Sequence, residues 1–243
     1  MQASAYLVYG TDDSDRRALI HDLLSHLNPD SPRLFFTPRG AAPSSWDTAI
    51  ANIPQVEVVS WELNQQIVQH AAISAAADAV IFLAPGNADP ADVAEAFKAW
   101  CAHNNCLIAR ILTIVDCQRL MARPRNQAWI DACVHFSDVV LLNRRQQVPN
   151  AWIQQLQAHY KKAYNPAHFI LVKKNRVPNP AQVLTPEARR LSLYFDQLIP
   201  IEEDGLDPED QPEDLKEDPY IERLASGRRA RPIPEFLMED AEA

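Results

Sequence analysis

The loop at residues 10–17, GTDDSDRR, follows the first apolar run and opens a helical pattern, where α/β proteins commonly bind phosphate. A phosphate loop of the form G-x-x-x-x-G-K-[ST] needs glycines for converging N–H groups, a Lys for the outer phosphates and a hydroxyl for Mg²⁺. Gly10 matches the first glycine. Asp15, Arg16 and Arg17 stand in place of the second glycine, the Lys and the hydroxyl. The loop therefore has the position of a phosphate loop without most of its chemistry.

Three carboxylates in this loop also oppose a polyphosphate. Asp12, Asp13 and Asp15 lie within four residues, and two unit charges ~4 Å apart repel by ~1 kcal/mol even in water. Ser14 or Asp13 could instead cap the following helix. The alternatives are thus a changed anion site and an ordinary helix cap.

Four further segments follow in a recognisable order. Residues 83–97 read LAPGNADPADVAEAF, residues 114–116 read IVD, residues 137–146 read SDVVLLNRRQ and residues 164–167 read YNPA. Together they resemble the E-x-S-G-x-A-D-P, V-D, A-D-x-x-x-x-N-K-x-D and L-N-P-x-A segments of the CobW/HypB/UreG-type P-loop GTPases, closest to the CobW branch. The resemblance covers residues 4 to about 177.

The resemblance implies a three-layer P-loop NTPase-like α/β fold with a mostly parallel, doubly wound sheet. It also implies a vestigial nucleotide site made by Gly10, Arg16, Arg17, Asp116, Asn143 and Arg144. An active member of the family would bind GTP with Mg²⁺ at this site.

Several positions depart from the family pattern. Leu83 occupies the place of the glutamate that helps to organise the catalytic water and metal, and Pro85 replaces the serine. Gln146 replaces the guanine-reading Asp, and its amide can accept hydrogen bonds at only one end. Residues 56–62, where the family's C-x-C-C metal motif is expected, read VEVVSWE. We therefore expect no catalytic residues, no bound metal and no required cofactor.

Other candidate sites are weak. Cys101, His103 and Cys106 lie close in sequence but lack C-x₂-C spacing and a second ligand pair. Cys117 and Cys133 are interpreted as small apolar core residues. No arrangement typical of a catalytic triad has motif support.

Apolar runs alternate with helical patterns along the first 177 residues, which favours a parallel sheet with helices on both faces. Predicted strands cover 5–9, 34–37, 56–59, 79–84, 107–115, 139–142 and 169–172. Predicted helices cover 14–27, 62–77, 92–103, 126–136 and 149–163.

The charge divides the chain. Of the formal net charge of −9, residues 200–243 contribute −10, from 15 acidic and 5 basic residues. We therefore predict a CobW-like domain at 1–177, a linker with a helix at 187–198 within 178–199, and a disordered acidic tail at 200–243. A neutral body with an acidic tail argues against nucleic acid as the ligand.

The apolar residues within 220–238 are unusual for a solubility tail. They favour docking to an unknown protein partner, the alternative being a solvated tail. The amino terminus shows no signal-peptide pattern and no apolar run approaches ~20 residues. We therefore expect a soluble cytoplasmic protein that does not bind membranes.

Two hypotheses of different classes follow. The first is a non-hydrolysing pseudo-GTPase that serves as a binding or scaffolding module, and a protein adaptor acting through its tail is compatible with it. The alternative is a divergent GTPase or metallochaperone in which Arg16, Arg17, Arg144 and Arg145 bind an anion in a changed way.

Overall fold

The computed structural model describes residues 2–64, 66–73, 76–196 and 217–237. Strands and helices alternate along most of the chain. The strands are β1 (Ala3–Gly10), β2 (Arg33–Pro38), β3 (Val56–Asn64), β4 (Ile67–His70), β5 (Ala79–Leu83), β6 (Cys106–Asp116), β7 (Val139–Asn143) and β8 (His168–Leu171). The helices are α1 (Arg16–Leu24), α2 (Ser45–Ala51), α3 (Pro90–His103), α4 (Cys117–Ala122), α5 (Gln127–His135), α6 (Asn150–Lys162) and α7 (Pro180–Leu184), with a 3₁₀ turn at Pro124–Asn126.

The strands form one eight-stranded sheet in the order β4-β3-β2-β5-β1-β6-β7-β8. Only the β3–β4 pair is antiparallel among these neighbours. Alternate residues of β1 enter two separate cores, with Leu7 on the face covered by α3, α5 and α6 and Val8 on the face covered by α1 and α2. This three-layer α/β fold confirms the predicted fold class. It brings the carboxyl ends of β1, β6 and β7 together at one edge, which we call the carboxyl edge.

The predicted helix at 62–77 is wrong, because this stretch completes β3 and forms β4. Leu63 pairs with Val68 across the hairpin. Gln66 turns the chain with a left-handed φ of 64°. Trp61 is buried and donates from its indole nitrogen to the carbonyl oxygen of Leu83 at 3.1 Å. The hairpin thus anchors the segment where the family's cysteine motif was expected.

The predicted helix at 187–198 is also wrong over its described part, since residues 187–196 have no helical turn. Asp138, fully buried, accepts hydrogen bonds from the backbone N–H of Arg189 at 2.7 Å and from the Arg190 guanidinium at 3.0 Å. Because the Arg189 N–H and the Arg190 guanidinium bind the same carboxylate, this stretch of chain is held in an extended conformation and not in a helix. Residues 197 and 198 lie outside the described residues.

The predicted disorder of the tail is wrong for residues 217–237, which we call the C-terminal segment. Tyr220, Ile221 and Phe236 are each less than a tenth exposed and join the core on the α3–α5 face. The physical reason is local composition, because the segment holds four acidic and four basic residues and is therefore neutral. Residues 200–216 and 238–243 lie outside the described residues. No helix in the described parts of the chain is long and apolar enough to span a bilayer.

Candidate functional site at the carboxyl edge

The loop between β1 and α1 keeps a backbone suited to glycine at both glycine positions of the phosphate-loop pattern. Gly10 has a φ of 132°, and a Cβ there would lie 2.6 Å from the carbonyl oxygen of Ile114. Asp15, at the second glycine position, has a left-handed φ of 60° just before α1. Left-handed backbone is favourable for glycine and uncommon for other residues. The backbone therefore matches the motif, whereas the side chain at position 15 does not.

Arg16, at the Lys position, is turned into the protein. Its side chain is 2% exposed, and its Nη1 donates to the carbonyl oxygen of Ala84 at 2.6 Å. Its Nη2 pairs with the carboxylate of Asp12. Burial lowers the pKa of Arg16 to about 10, although the Asp12 carboxylate opposes the shift. Arg16 therefore stays charged at neutral pH, with its charge directed to protein acceptors.

Asp12 is fixed where the loop meets the β5–α3 connection. A Cβ on Gly86 would lie 2.6 Å from the Asp12 carboxylate oxygen and 2.7 Å from its backbone nitrogen. Only a glycine at position 86 allows this approach. The contact between Asp12 and Gly86 therefore packs the loop after β1 against residues 84–86.

Each carboxylate of the loop faces an arginine. This arrangement offsets the repulsion expected among the three acids, because opposite charges within about 4 Å stabilise each other. The pairs are Asp12 with Arg16, Asp13 with Arg119, and Asp15 with Arg144 at 4.0 Å.

Asp116, at the end of β6, caps α4. Its Oδ1 accepts from the backbone N–H of Arg119 at 2.9 Å, and its Oδ2 accepts from the Arg144 guanidinium at 3.2 Å. Burial raises the pKa of Asp116, while these two partners oppose the shift. Both oxygens of a candidate metal or water ligand are therefore engaged by the protein.

Asn143, at the end of β7, fastens the phosphate-loop region from the other side. Its side-chain amide donates to the carbonyl oxygen of Ser14 at 3.2 Å and to the side chain of Asn175 at 3.1 Å. Arg144, with a φ of 50°, donates to the carbonyl oxygen of Asp13 at 2.7 Å. Gln146 is exposed. The asparagine of the guanine-reading segment thus has a structural role.

Arg17 is not brought to this cluster. Its Nε lies 2.8 Å from a carboxylate oxygen of Asp47 in α2. The structure therefore places the Arg17 side chain apart from the other predicted site residues, because it leaves α1 toward the neighbouring helix α2. The other five predicted residues do lie at the carboxyl edge.

Sequence reasoning missed Arg119 and Arg123. They line an open groove of about 380 Å³ beside the loop, together with Asp13, Asp116, Gln118, Ala122 and Arg144. The sequence feature that could have indicated them is their spacing, because Arg119 and Arg123 follow the strand-ending Asp116 by three and seven residues. Among the described residues, no three His, Cys, Asp or Glu side chains come together in a way that could hold a metal ion.

Phe236 also lies at this site, whereas the sequence placed it only in a segment that docks to a partner. Its ring centroid lies 5.3 Å from the Arg119 guanidinium carbon, and it closes a cavity of about 10 Å³ against Thr11, Asp116, Leu120, Asn126 and Ile130. Thr11 is 3% exposed and its hydroxyl has no hydrogen-bond partner within the described protein. This volume admits about one water molecule. The C-terminal segment therefore reaches the carboxyl edge.

Two solved structures match parts of this chain. The Zn(II)-bound YjiA GTPase from E. coli is 10% identical, with 78% of this chain and 67% of that chain covered and a TM-score of 0.45. A Zn(II)-bound triple mutant of YjiA is 11% identical, with 76% of this chain and 62% of that chain covered and the same TM-score of 0.45. The chain thus spans no more than about two thirds of either protein. A comparison with curated proteins finds no match.

A family profile matches the central part of the chain. The CobW/HypB/UreG nucleotide-binding domain matches residues 57–171, from the second residue of β3 to the last residue of β8. The matched range includes the segments around Gly86, Asp116 and Asn143, and it begins after the loop at residues 10–17. Over residues 57–171, just under half of the chain, the sequence is therefore similar to the CobW/HypB/UreG nucleotide-binding domain.

Proposed function

We propose that this chain is a pseudo-GTPase, a CobW-like domain that does not hydrolyse GTP and acts as a binding or scaffolding module. One observation carries the proposal. Arg16, the residue at the position of the phosphate-binding Lys, is committed to the carbonyl oxygen of Ala84 and the carboxylate of Asp12. A triphosphate would have to displace both partners before Arg16 could bind it.

The residues present do not fit Mg²⁺ with a nucleoside triphosphate. Arg17, at the position of the Mg²⁺-binding hydroxyl, pairs with Asp47 in α2. Asp13 is half-exposed beside the groove, with 49% of its side chain accessible, and would repel phosphate. Leu83, at the position of the catalytic glutamate, is 1% exposed and can take no part in proton transfer. We accordingly propose no bound cofactor and a partner that is a protein.

A second candidate is a divergent nucleotide-binding protein with a changed phosphate site. The observation in its favour is the groove lined by Arg119, Arg123 and Arg144. Against it, Arg119 and Arg144 each face a carboxylate, Asp13 and Asp116 respectively. The groove is therefore mixed in charge, which favours the pseudo-GTPase. We also propose a cytoplasmic location, with which four free cysteines are compatible.

Isothermal titration calorimetry tests the proposal with Mg²⁺-GTP, Mg²⁺-ATP, GDP and inorganic phosphate. We expect no saturable heat from any of them up to about 1 mM. Saturable binding of Mg²⁺-GTP that is lost in Arg144→Ala and kept in Lys162→Ala would establish the second candidate. Lys162 is an exposed cation at the end of α6 and serves as the charge-matched control.

A further inference from the structure

The C-terminal segment contacts both ends of α5 and, between them, the neighbouring helix α3. At one end, Asp218 and His135 are 2.7 Å apart between carboxylate oxygen and Nε2. At the other end, Leu237 contacts Asn126, which directly precedes α5. In the middle of the segment, Arg229 pairs with two residues of α3, Asp92 and Glu95, the latter at 2.6 Å. The contacts therefore follow one direction, from the carboxyl end of the helix toward the carboxyl edge of the sheet.

Asn126 holds the backbone of this segment with both ends of its amide. Its Nδ2 donates to the carbonyl oxygen of Leu237 at 3.2 Å, and its Oδ1 accepts from the N–H of Leu237, also at 3.2 Å. Asn126 is 2% exposed. A side-chain amide that satisfies both backbone groups of one residue recognises an extended peptide irrespective of its side chains.

Phe236 supplies the side chain that is recognised. It is 7% exposed. Its ring meets Trp129 edge to face, with centroids 5.0 Å apart at 62°, and Arg119 lies over it at 5.3 Å. Leu120 and Ile130 complete the pocket. A buried aromatic in a pocket with an edge-to-face partner and a cation is typical of an anchor residue.

We propose that Asn126, Trp129 and Arg119 form a peptide-binding site, which the chain's own C-terminal segment occupies in cis. A protein partner would enter the same site with an extended segment that carries an aromatic anchor. This inference rests on the proposed function, because it names the partner class of the binding module.

Because the chain's own C-terminal segment fills the site, it determines the affinity that a partner needs in order to displace it. A ligand that belongs to the same chain as its site competes at an effective concentration of the order of 1 mM. A competing segment must therefore bind well below that value. Arg229, which is 8% exposed in its side chain, pairs with Asp92 and Glu95 away from the pocket. The end of the segment can thus leave the anchor pocket while its middle stays attached.

A fluorescent synthetic peptide of residues 217–237 tests the site on the full-length chain. We expect the peptide to bind the Phe236→Ala protein at least ten-fold more tightly than the wild type, whose pocket is filled in cis. Adding Asn126→Ala to that variant should weaken binding at least ten-fold. An unlabelled peptide that itself carries Phe236→Ala should not displace the fluorescent peptide from the Phe236→Ala protein.

Equal affinity of the wild type and Phe236→Ala for the peptide, or equal competition by the Ala-substituted peptide, would overturn the proposal. If Phe236→Ala shows no cooperative thermal melt, Leu237→Pro replaces it. Proline removes the N–H that donates to Asn126 Oδ1 and leaves the Phe236 ring unchanged. Sedimentation of the wild type should show a monomer. A dimer that Phe236→Ala converts to a monomer would identify a second copy as the occupant and would overturn the arrangement in cis.

Repeating the titrations with 1 mM Mg²⁺-GTP separates this inference from the proposed function. Nucleotide binding with unchanged peptide affinities contradicts the pseudo-GTPase and leaves the peptide site supported. Failure of the peptide to bind Phe236→Ala contradicts the peptide site alone.

Discussion

Arg16 donates a hydrogen bond to the carbonyl oxygen of Ala84 at 2.6 Å, and this bond links the loop after β1 to the loop after β5. Arg16 is also paired with Asp12, whose backbone nitrogen lies against Gly86. The longer reach of an arginine, compared with a lysine, lets one side chain satisfy acceptors on both loops. The two loops that would bracket a phosphate chain are therefore joined to each other.

The first prediction concerns hydrolysis. We expect the purified protein to release phosphate from Mg²⁺-GTP no faster than buffer does, because Arg16 is engaged and Leu83 cannot activate water. A phosphate-release assay measures this directly. Turnover above buffer that disappears in Arg16→Ala would contradict the pseudo-GTPase.

The second prediction concerns the stability supplied by Arg16. Arg16→Ala should lower the free energy of unfolding by about 3 kcal/mol, because the buried Arg16 side chain is lost and the carbonyl oxygen of Ala84 and the carboxylate of Asp12 lose their partner. Arg16→Lys should cost less, since it keeps a charge near Asp12. Urea unfolding measures both. Arg176→Ala is the control, because its side chain is 81% exposed and its pairing distance to Asp22 is 3.9 Å, and it should change stability by less than about 0.5 kcal/mol.

The third prediction concerns the C-terminal segment. Ending the chain at Lys216 should lower the unfolding free energy by about 3 kcal/mol, because it exposes the surface that Tyr220, Ile221 and Phe236 cover. For a domain of this size, that loss lowers the melting temperature by about 6–12 °C. Ending the chain at Leu237 is the matched control and should leave the melting temperature unchanged. An unchanged melt for the shorter chain would show that the segment does not stabilise the body.

The fourth prediction concerns pH. Burial raises the pKa of Asp218, but hydrogen bonds from His135, Ser192 and the backbone of Tyr220 outweigh it, and the net pKa is lowered. A carboxylate with a lowered pKa in the folded protein stabilises it above its usual pKa of about 3.9, and this stability is lost as pH falls through the lower folded value. The segment should therefore loosen in acid.

Asp218→Asn should reveal this contribution as a loss of about 1.5 kcal/mol at pH 7 that shrinks toward pH 3. Urea unfolding at several pH values measures it. Glu222→Gln, an exposed change on the same segment, should show no such trend. If the difference in unfolding free energy between Asp218→Asn and the wild type grows as the pH falls, the Asp218 carboxylate is not the source of this stability.

Much of the sheet could be predicted from the sequence, because buried parallel strands are apolar on both faces. Residues 62–77 misled because Leu63, Ile67 and Val68 have the spacing of a helix face. The same spacing also suits a short hairpin, in which Leu63 and Val68 become cross-strand partners. The left-handed turn at Gln66 decides between the two, and a glutamine gives no signal for it.

For the candidate site, the sequence predicted where the backbone positions lie, but it did not predict the directions of the side chains. The positions of Gly10, Asp116 and Asn143 follow from strand ends, which the pattern locates. The direction of a long arginine does not follow from its position, and Arg16 and Arg17, adjacent in sequence, pair with acids on different elements. For the tail, an average over residues 200–243 concealed a neutral stretch with three apolar anchors.

The last prediction restores the phosphate loop. The variant combines Asp13→Gly, Asp15→Gly, Arg16→Lys and Arg17→Thr, and its net charge rises by +1, since two negative charges and one positive charge are removed. Asp15 already has a left-handed φ of 60°, so glycine there relieves backbone strain. Lys at position 16 is shorter than arginine and leaves the carbonyl of Ala84 less firmly held. We expect weak, millimolar binding of Mg²⁺-triphosphate in calorimetry.

Base preference and catalysis separate the remaining parts of the motif. The restored loop should bind GTP and ATP alike, because Gln146 remains in place of the guanine-reading Asp. Adding Gln146→Asp should favour GTP, and hydrolysis should stay absent while Leu83 is present. Asp30→Asn, an exposed change that also raises the net charge by +1, is the control and should bind neither nucleotide. If the restored variant folds with a cooperative melt and binds no triphosphate, the positive φ angles at Gly10 and Asp15 reflect only a tight turn into α1, and the loop is not a phosphate site.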